Sequence, residues 1–190
     1  MKQPRVVFVP GLRDRMPEHW QERLSEQLPG STLVPPLTED KLNLGARVEA
    51  LDRTVQAAAG PVLLVAHSAG NVIVAHWAAR HRRAVAGALL VAPIDIESPL
   101  PPGAPTMGQL RAQGWLPVPR EPFAFPSTVA ASANDPLGPP DRIAELADAW
   151  GSRLVQLGPV GHLVPASGHG DWPEGLRLIQ SLLAQQEEVQ

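Results

Sequence analysis

Four short runs, Arg5–Val9, Val62–Val65, Ala86–Val91 and Thr128–Ala131, are apolar without interruption by an alternating polar residue. A strand with one face in water alternates polar and apolar side chains; a strand that does not alternate is covered on both faces. Two weaker strand candidates, Ser31–Val34 and Arg153–Leu157, complete the series. Segments of helical character lie between them. Pro17–Leu28 opens on a proline and is stopped by Pro29-Gly30. Asn43–Ala58 carries Leu44, Val48, Leu51 and Val55 at helical spacing behind an Asn suited to the N-cap. Ala69–Arg80, Asp141–Trp150 and Pro173–Ala184 supply the remaining main helices, with Gln185–Gln190 expected to fray. This alternation predicts an α/β fold: a doubly wound sheet of about six parallel strands with helices on both faces. Sites in such sheets form at the carboxyl ends of the strands.

One stretch departs from the alternation. Pro93–Pro126 holds nine prolines in 34 residues, with Met107–Gln113 as a short helix candidate. It reads as a loop or small cap over the sheet edge rather than a linker, so residues 1–190 are expected to form a single domain. A chain of 190 residues can bury a proper core, and 44% hydrophobic against 18% charged residues is an ordinary globular balance. The formal net charge of −3, with basic spots only at Arg80–Arg83 and at Lys2 with Arg5, offers no field for nucleic acid or an anionic membrane. The absence of cysteine excludes disulfides, thiolate nucleophiles and Cys-type zinc sites. Met1–Val9 is too short and lacks the cleavage site of a signal peptide, so the cytosol is the expected location.

The strand Val62–Val65 runs directly into Ala66-His67-Ser68-Ala69-Gly70 and then into a helix. A strand-to-helix turn this tight needs small residues two before and two after its apex, and Ala66 and Gly70 meet that need. The apical Ser68 then stands clear of the sheet, above a helix N-terminus that favours negative charge. A serine can also be a plain helix cap, but a buried strand before it and a helix after it mark a nucleophile.

In a sheet of this kind the acid and then the base follow the nucleophile along the chain. Of six histidines, His19, His67, His76 and His81 fall outside that order, leaving His162 and His169. His162 follows the last strand directly and is the expected general base, with His169 the alternative. Asp135, after Thr128–Ala131, is the expected acid; it would fix the imidazole tautomer that faces Ser68. Asp95, one strand earlier, is its rival, while Asp141 is expected to cap its own helix. The oxyanion donors expected are the N–H groups of Ala69 and of Leu12, in the loop after the first strand. Gly11, which permits a close turn, and His67, beside the nucleophile, are assigned as substrate-contacting positions. Arg13 and Arg15 could meet an acidic substrate group, although solvated loop charges are the commoner use.

These residues carry a family resemblance. Val9-Pro10-Gly11-Leu12 with Glu18-His19-Trp20, Ala66-His67-Ser68-Ala69-Gly70, Ala133-Asn134-Asp135-Pro136, and Gly161-His162-Leu163 through Ala166-Ser167-Gly168 to Trp172-Pro173-Glu174-Gly175 resemble the small serine hydrolases related to retinoblastoma-binding protein nine, the YdeN-like hydrolases. The resemblance implies a compact α/β-hydrolase with a six-stranded sheet and a minimal lid, and the triad Ser68, Asp135, His162. Ala66 in place of a glycine, and Pro10 where many hydrolases have histidine, are departures that touch no reacting atom. The expected chemistry is acyl transfer on a small ester, thioester or amide, with no metal or organic cofactor, no nucleic acid and no membrane partner. The alternative is a binding protein on the same fold with weak or lost catalysis.

Overall fold

A computed structural model describes residues 4–13 and 16–188 of the chain. Arg15 and Lys2, named above for their charge, lie outside the described residues. The chain alternates β1 (Arg5–Val9), α1 (Trp20–Gln27), β2 (Thr32–Leu33), α2 (Leu44–Ala57), β3 (Val62–His67), α3 (Gly70–Arg80) and β4 (Val85–Val91). It continues through α4 (Met107–Ala112), β5 (Ser127–Ala131), α5 (Pro140–Ala149), β6 (Arg153–Gln156), a single 3-10 turn at Pro165–Ser167, and α6 (Pro173–Glu188). The strands form one sheet in the order β2-β1-β3-β4-β5-β6, and every pairing is parallel. The two strands that the sequence marks most weakly, β2 and β6, are the edges, where burial on both faces is not required.

Successive strand residues go to opposite faces, and the core divides accordingly. Val7, Val9, Leu64, Ala66, Ala88, Leu90 and Val129 face a layer built from α2, α3 and α5. Val6, Phe8, Leu63, Val65, Leu89, Val91 and Ala130 face a layer of α1 and α6, anchored by Trp20, Trp172 and Ile179. Both faces of β3 are therefore dry along all six residues, which is why its sequence cannot alternate.

Most element ends fall within a residue of expectation, and four differences have physical causes. Helix α1 begins at Trp20 rather than Pro17, because His19 holds an extended backbone and its Nδ1 accepts the Gln21 N–H. Strand β3 runs on through His67, so it ends directly at the serine. Asp141 is not a cap: Pro140 takes the first position of α5, and Asp141 lies in the first turn, where the helix dipole favours its charge. Helix α6 extends to Glu188 instead of fraying from Gln185, consistent with the helix-forming Ala-Gln-Gln-Glu-Glu end. Asn43 does cap α2, accepting the Ala46 N–H at 2.9 Å.

Candidate active site

The turn between β3 and α3 is as tight as the small residues around it suggest. A Cβ on Gly70 would lie 2.3 Å from the Val9 carbonyl oxygen and 2.9 Å from that of Pro10. Helix α3 can approach β1 this closely only because position 70 has no side chain. Ser68 sits at the apex with φ of +58°, a left-handed conformation that costs a non-glycine residue free energy. Its N–H donates to Val91 O on β4, and its carbonyl accepts from Asn71 of α3. The side chain is thus delivered above the carboxyl ends of the central strands.

Three of the expected residues come together there. His162 Nε2 lies 2.9 Å from Ser68 Oγ, and His162 Nδ1 lies 2.7 Å from Asp135 Oδ2. Because an ionised Asp135 can only accept, Nδ1 carries the proton, and Nε2 is left to accept from the Ser68 hydroxyl. The other Asp135 oxygen accepts the Leu137 N–H at 2.8 Å, and the residue is 6% exposed, so the carboxylate is fixed in place. The arrangement can pass the serine proton to the imidazole while Asp135 stabilises the resulting cation.

The rivals are occupied elsewhere. Asp95 binds Ser98 Oγ at 2.7 Å and Arg142 Nε at 3.1 Å, and these contacts hold its carboxyl below the usual range against the opposing effect of burial. His169 Nδ1 reaches the Ser167 hydroxyl at 3.5 Å. His76, buried on α3, donates Nε2–H to the Trp115 carbonyl, and His81 stacks on Trp77 and meets Asp52.

Gly11 follows β1 and faces the serine: a Cβ there would meet Ser68 Cβ at 3.1 Å and Oγ at 3.3 Å. Among the described residues, neither the Leu12 nor the Ala69 N–H has a hydrogen-bond acceptor. Ala69 directly precedes α3, so its N–H points out with the free donors of that helix end. Arg47 of α2, which the sequence reading missed, spans this loop. It donates to the Gly11 and Leu12 carbonyls at 3.4 Å each and to the Lys41 carbonyl at 2.7 Å. Gln21 of α1 similarly ties the ends of β1 and β3 together, donating to Val9 O and Val65 O.

Ser68 and His162 open into a cleft of about 690 Å³. Leu12, Met16, Leu42, Leu100, Pro102 and Leu137 give it largely apolar walls. Leu100 to Pro105, from the proline-rich stretch, form one side. Arg13 is exposed at the rim.

The assignment of His67 as a substrate contact is refined. Its ring borders the cleft, yet it is 4% exposed and its Nε2 lies 2.9 Å from the His162 carbonyl oxygen. A carbonyl only accepts, so this nitrogen bears the hydrogen. His19 packs beyond it, with centroids 4.7 Å apart and planes tilted by 53°. Burial, then the neighbouring His162 and opposed by Glu22, lowers His19 to about 4. Burial first, then His19 and His162, pushes His67 well below the usual histidine value. Both are neutral near pH 7.

The parallel sheet, the turn at Ser68 and the residues at its strand ends define an α/β-hydrolase. The chain belongs to the serine hydrolase family, whose model matches residues 6–181. It is similar to a YdeN-like hydrolase from Pectobacterium atrosepticum, with a TM-score of 0.81 and 28% identity over 97% of this chain and 92% of that one. The ydeN gene product of B. subtilis superposes with a TM-score of 0.73 at 19% identity, covering 95% of this chain and 99% of the other. A thermophilic esterase from Thermogutta terrifontis shares the fold at a TM-score of 0.65 and 15% identity, over 96% and 90% of the two chains. No curated protein matches the sequence. Among the described residues no cluster of side chains suits a metal ion, and no helix is long and apolar enough to cross a membrane.

Proposed function

We propose that this hydrolase cleaves a small ester, thioester or amide through an acyl-enzyme on Ser68. The observation that carries the proposal is the pair of hydrogen bonds linking Ser68 Oγ, His162 and Asp135, 2.9 and 2.7 Å long, at the mouth of an apolar cleft. His162 takes the Ser68 proton as Oγ attacks the substrate carbonyl. The Leu12 and Ala69 N–H groups receive the developing oxyanion, aided by the N-terminus of α3. The imidazolium then protonates the leaving group, and the acyl group stays on Ser68. Water attacks the acyl-enzyme with His162 again as base. The apolar walls favour an apolar acyl group, while Arg13 and Lys41 also border the cleft.

The test is labelling by a fluorophosphonate probe, which forms a covalent bond only with an activated serine. The wild-type protein is expected to label and Ser68→Ala is not. A wild-type protein that fails to label would overturn the enzymatic reading, and labelling that survives Ser68→Ala would overturn the assignment of the nucleophile.

A further inference from the structure

Gly161 and Leu163, on either side of His162, both have left-handed backbone, with φ of 62° and 51°. A glycine takes that conformation freely; a leucine does so only where its surroundings hold it. Three side chains from three separate elements hold these three consecutive residues. Asn134, following β5, accepts the Gly161 N–H at 2.7 Å. His67, at the end of β3, donates Nε2–H to the His162 carbonyl at 2.9 Å. Trp20, the first residue of α1, donates its indole N–H to the Leu163 carbonyl at 3.0 Å. Leu163 itself is wholly buried.

We propose that His67 is a positioning residue for His162, the central point of a clamp completed by Asn134 and Trp20 that keeps the base in reach of Ser68. The proposal rests on the hydrolase reading given above. Its force comes from where His67 stands. The residue is the last of β3 and the immediate neighbour of Ser68, so one strand end carries the nucleophile and also grips the backbone of the base. The separation of the two reacting groups is then set by adjacent residues of a rigid, buried strand rather than across two independent loops. The ring adds a second restraint, packing against the His162 imidazole with centroids 5.0 Å apart and planes tilted by 44°.

Neutrality suits this role. His19, His162 and the edge of Trp20 face the His67 ring, with Glu22 acting on His19. A charge on His67 would oppose the imidazolium that forms on His162 in each acyl transfer. A buried, neutral Nε2–H tautomer grips the carbonyl and adds no such repulsion.

The test compares His67→Phe, His67→Gln and His67→Asn with the wild-type protein, using p-nitrophenyl acetate turnover and the rate of fluorophosphonate labelling. Phenylalanine keeps a ring and loses the donor; kcat is expected to fall about 10- to 100-fold with KM within about twofold, as for a reacting group displaced by roughly an ångström. Glutamine can place an N–H near the Nε2 position and is expected to restore kcat to within about threefold, whereas the shorter asparagine is not. The glutamine–asparagine pair decides the matter even where the phenylalanine variant does not fold. Equal kcat in wild type and His67→Phe, or equal recovery by glutamine and asparagine, would overturn the clamp alone. A wild-type protein that does not label would instead overturn the hydrolase reading on which the clamp rests.

Discussion

Asp135 Oδ2 lies 2.7 Å from His162 Nδ1, while the Asp95 carboxylate, after the neighbouring strand, is turned to Arg142 and Ser98. The two acids that the sequence leaves in competition therefore have separable consequences. Asp135→Asn should lower kcat by about 10² to 10⁴ because an amide no longer stabilises the imidazolium or selects its tautomer. Asp95→Asn should leave kcat within about threefold and instead cost about 1–3 kcal/mol of stability, since it weakens a buried, charge-assisted network. Ester turnover and denaturant unfolding of the two variants check the pair. A loss of kcat confined to Asp95→Asn would reassign the acid.

The places of Ser68, Asp135 and His162 were legible because strand ends converge in a parallel sheet; β3 and β5 stand out as buried apolar runs, while β6, which precedes His162, is the weaker signal. Ser68 could be read from the small residues around it, and Asp135 and His162 from their order along the chain. The residues that hold them were not legible. Arg47 acts on carbonyls 35 and 36 positions away, His67 on one 95 away and Trp20 on one 143 away. Each binds a backbone atom, which every residue possesses, so no local pattern marks the partner. The Glu18-His19-Trp20 stretch stood out as a motif, but its part in fixing the base loop needed the third dimension. The limits of α1 and α6 were misjudged for different reasons. Propensity does not reveal that a histidine ring will cap α1, whereas the helix-forming residues at the end of α6 did carry the signal of its continuation.

Gly70→Ala gives an unusually direct test of the turn. Within a helix, alanine is ordinarily favoured over glycine by about 1 kcal/mol. Here the added Cβ would meet the backbone oxygens of Val9 and Pro10 at 2.3 and 2.9 Å, and neither can move without shifting β1. The sign should reverse, with a destabilisation of about 1–3 kcal/mol or more. The loop carrying Leu12 would be displaced with β1, so kcat should fall as well. Thermal unfolding and ester turnover read the two effects separately.

Ser68 holds a strained, left-handed backbone. At φ of +58° a side chain costs about 1–2 kcal/mol, and glycine escapes that cost. Ser68→Gly should therefore unfold at a higher temperature than Ser68→Ala, by an amount corresponding to about 1 kcal/mol. Neither variant keeps the hydroxyl, so the difference isolates the backbone. Equal melting temperatures would show that the turn is relaxed.

The histidines at the base of the cleft make stability depend on pH. His19, lowered to about 4 from 6.5 by burial and by His162, is neutral when the chain is folded and binds a proton more readily when unfolded. Its contribution to stability is full above pH 6.5 and is lost progressively as pH falls from 6.5 to 4. His67 and His76 are lowered in the same direction, so they steepen the loss. Asp52, held at about 2 chiefly by Arg83, adds a further loss only below its unfolded value of 3.8. His19→Asn isolates the first of these, because asparagine is a good N-cap in place of the imidazole that now accepts the Gln21 N–H. The smaller side chain loses packing equally at both pH values, but between pH 7 and pH 5 the variant should be spared about 2 kcal/mol of the stability that the wild type loses. Denaturant unfolding at the two pH values measures that difference, and parallel losses in both proteins would mean that His19 is charged in the folded state.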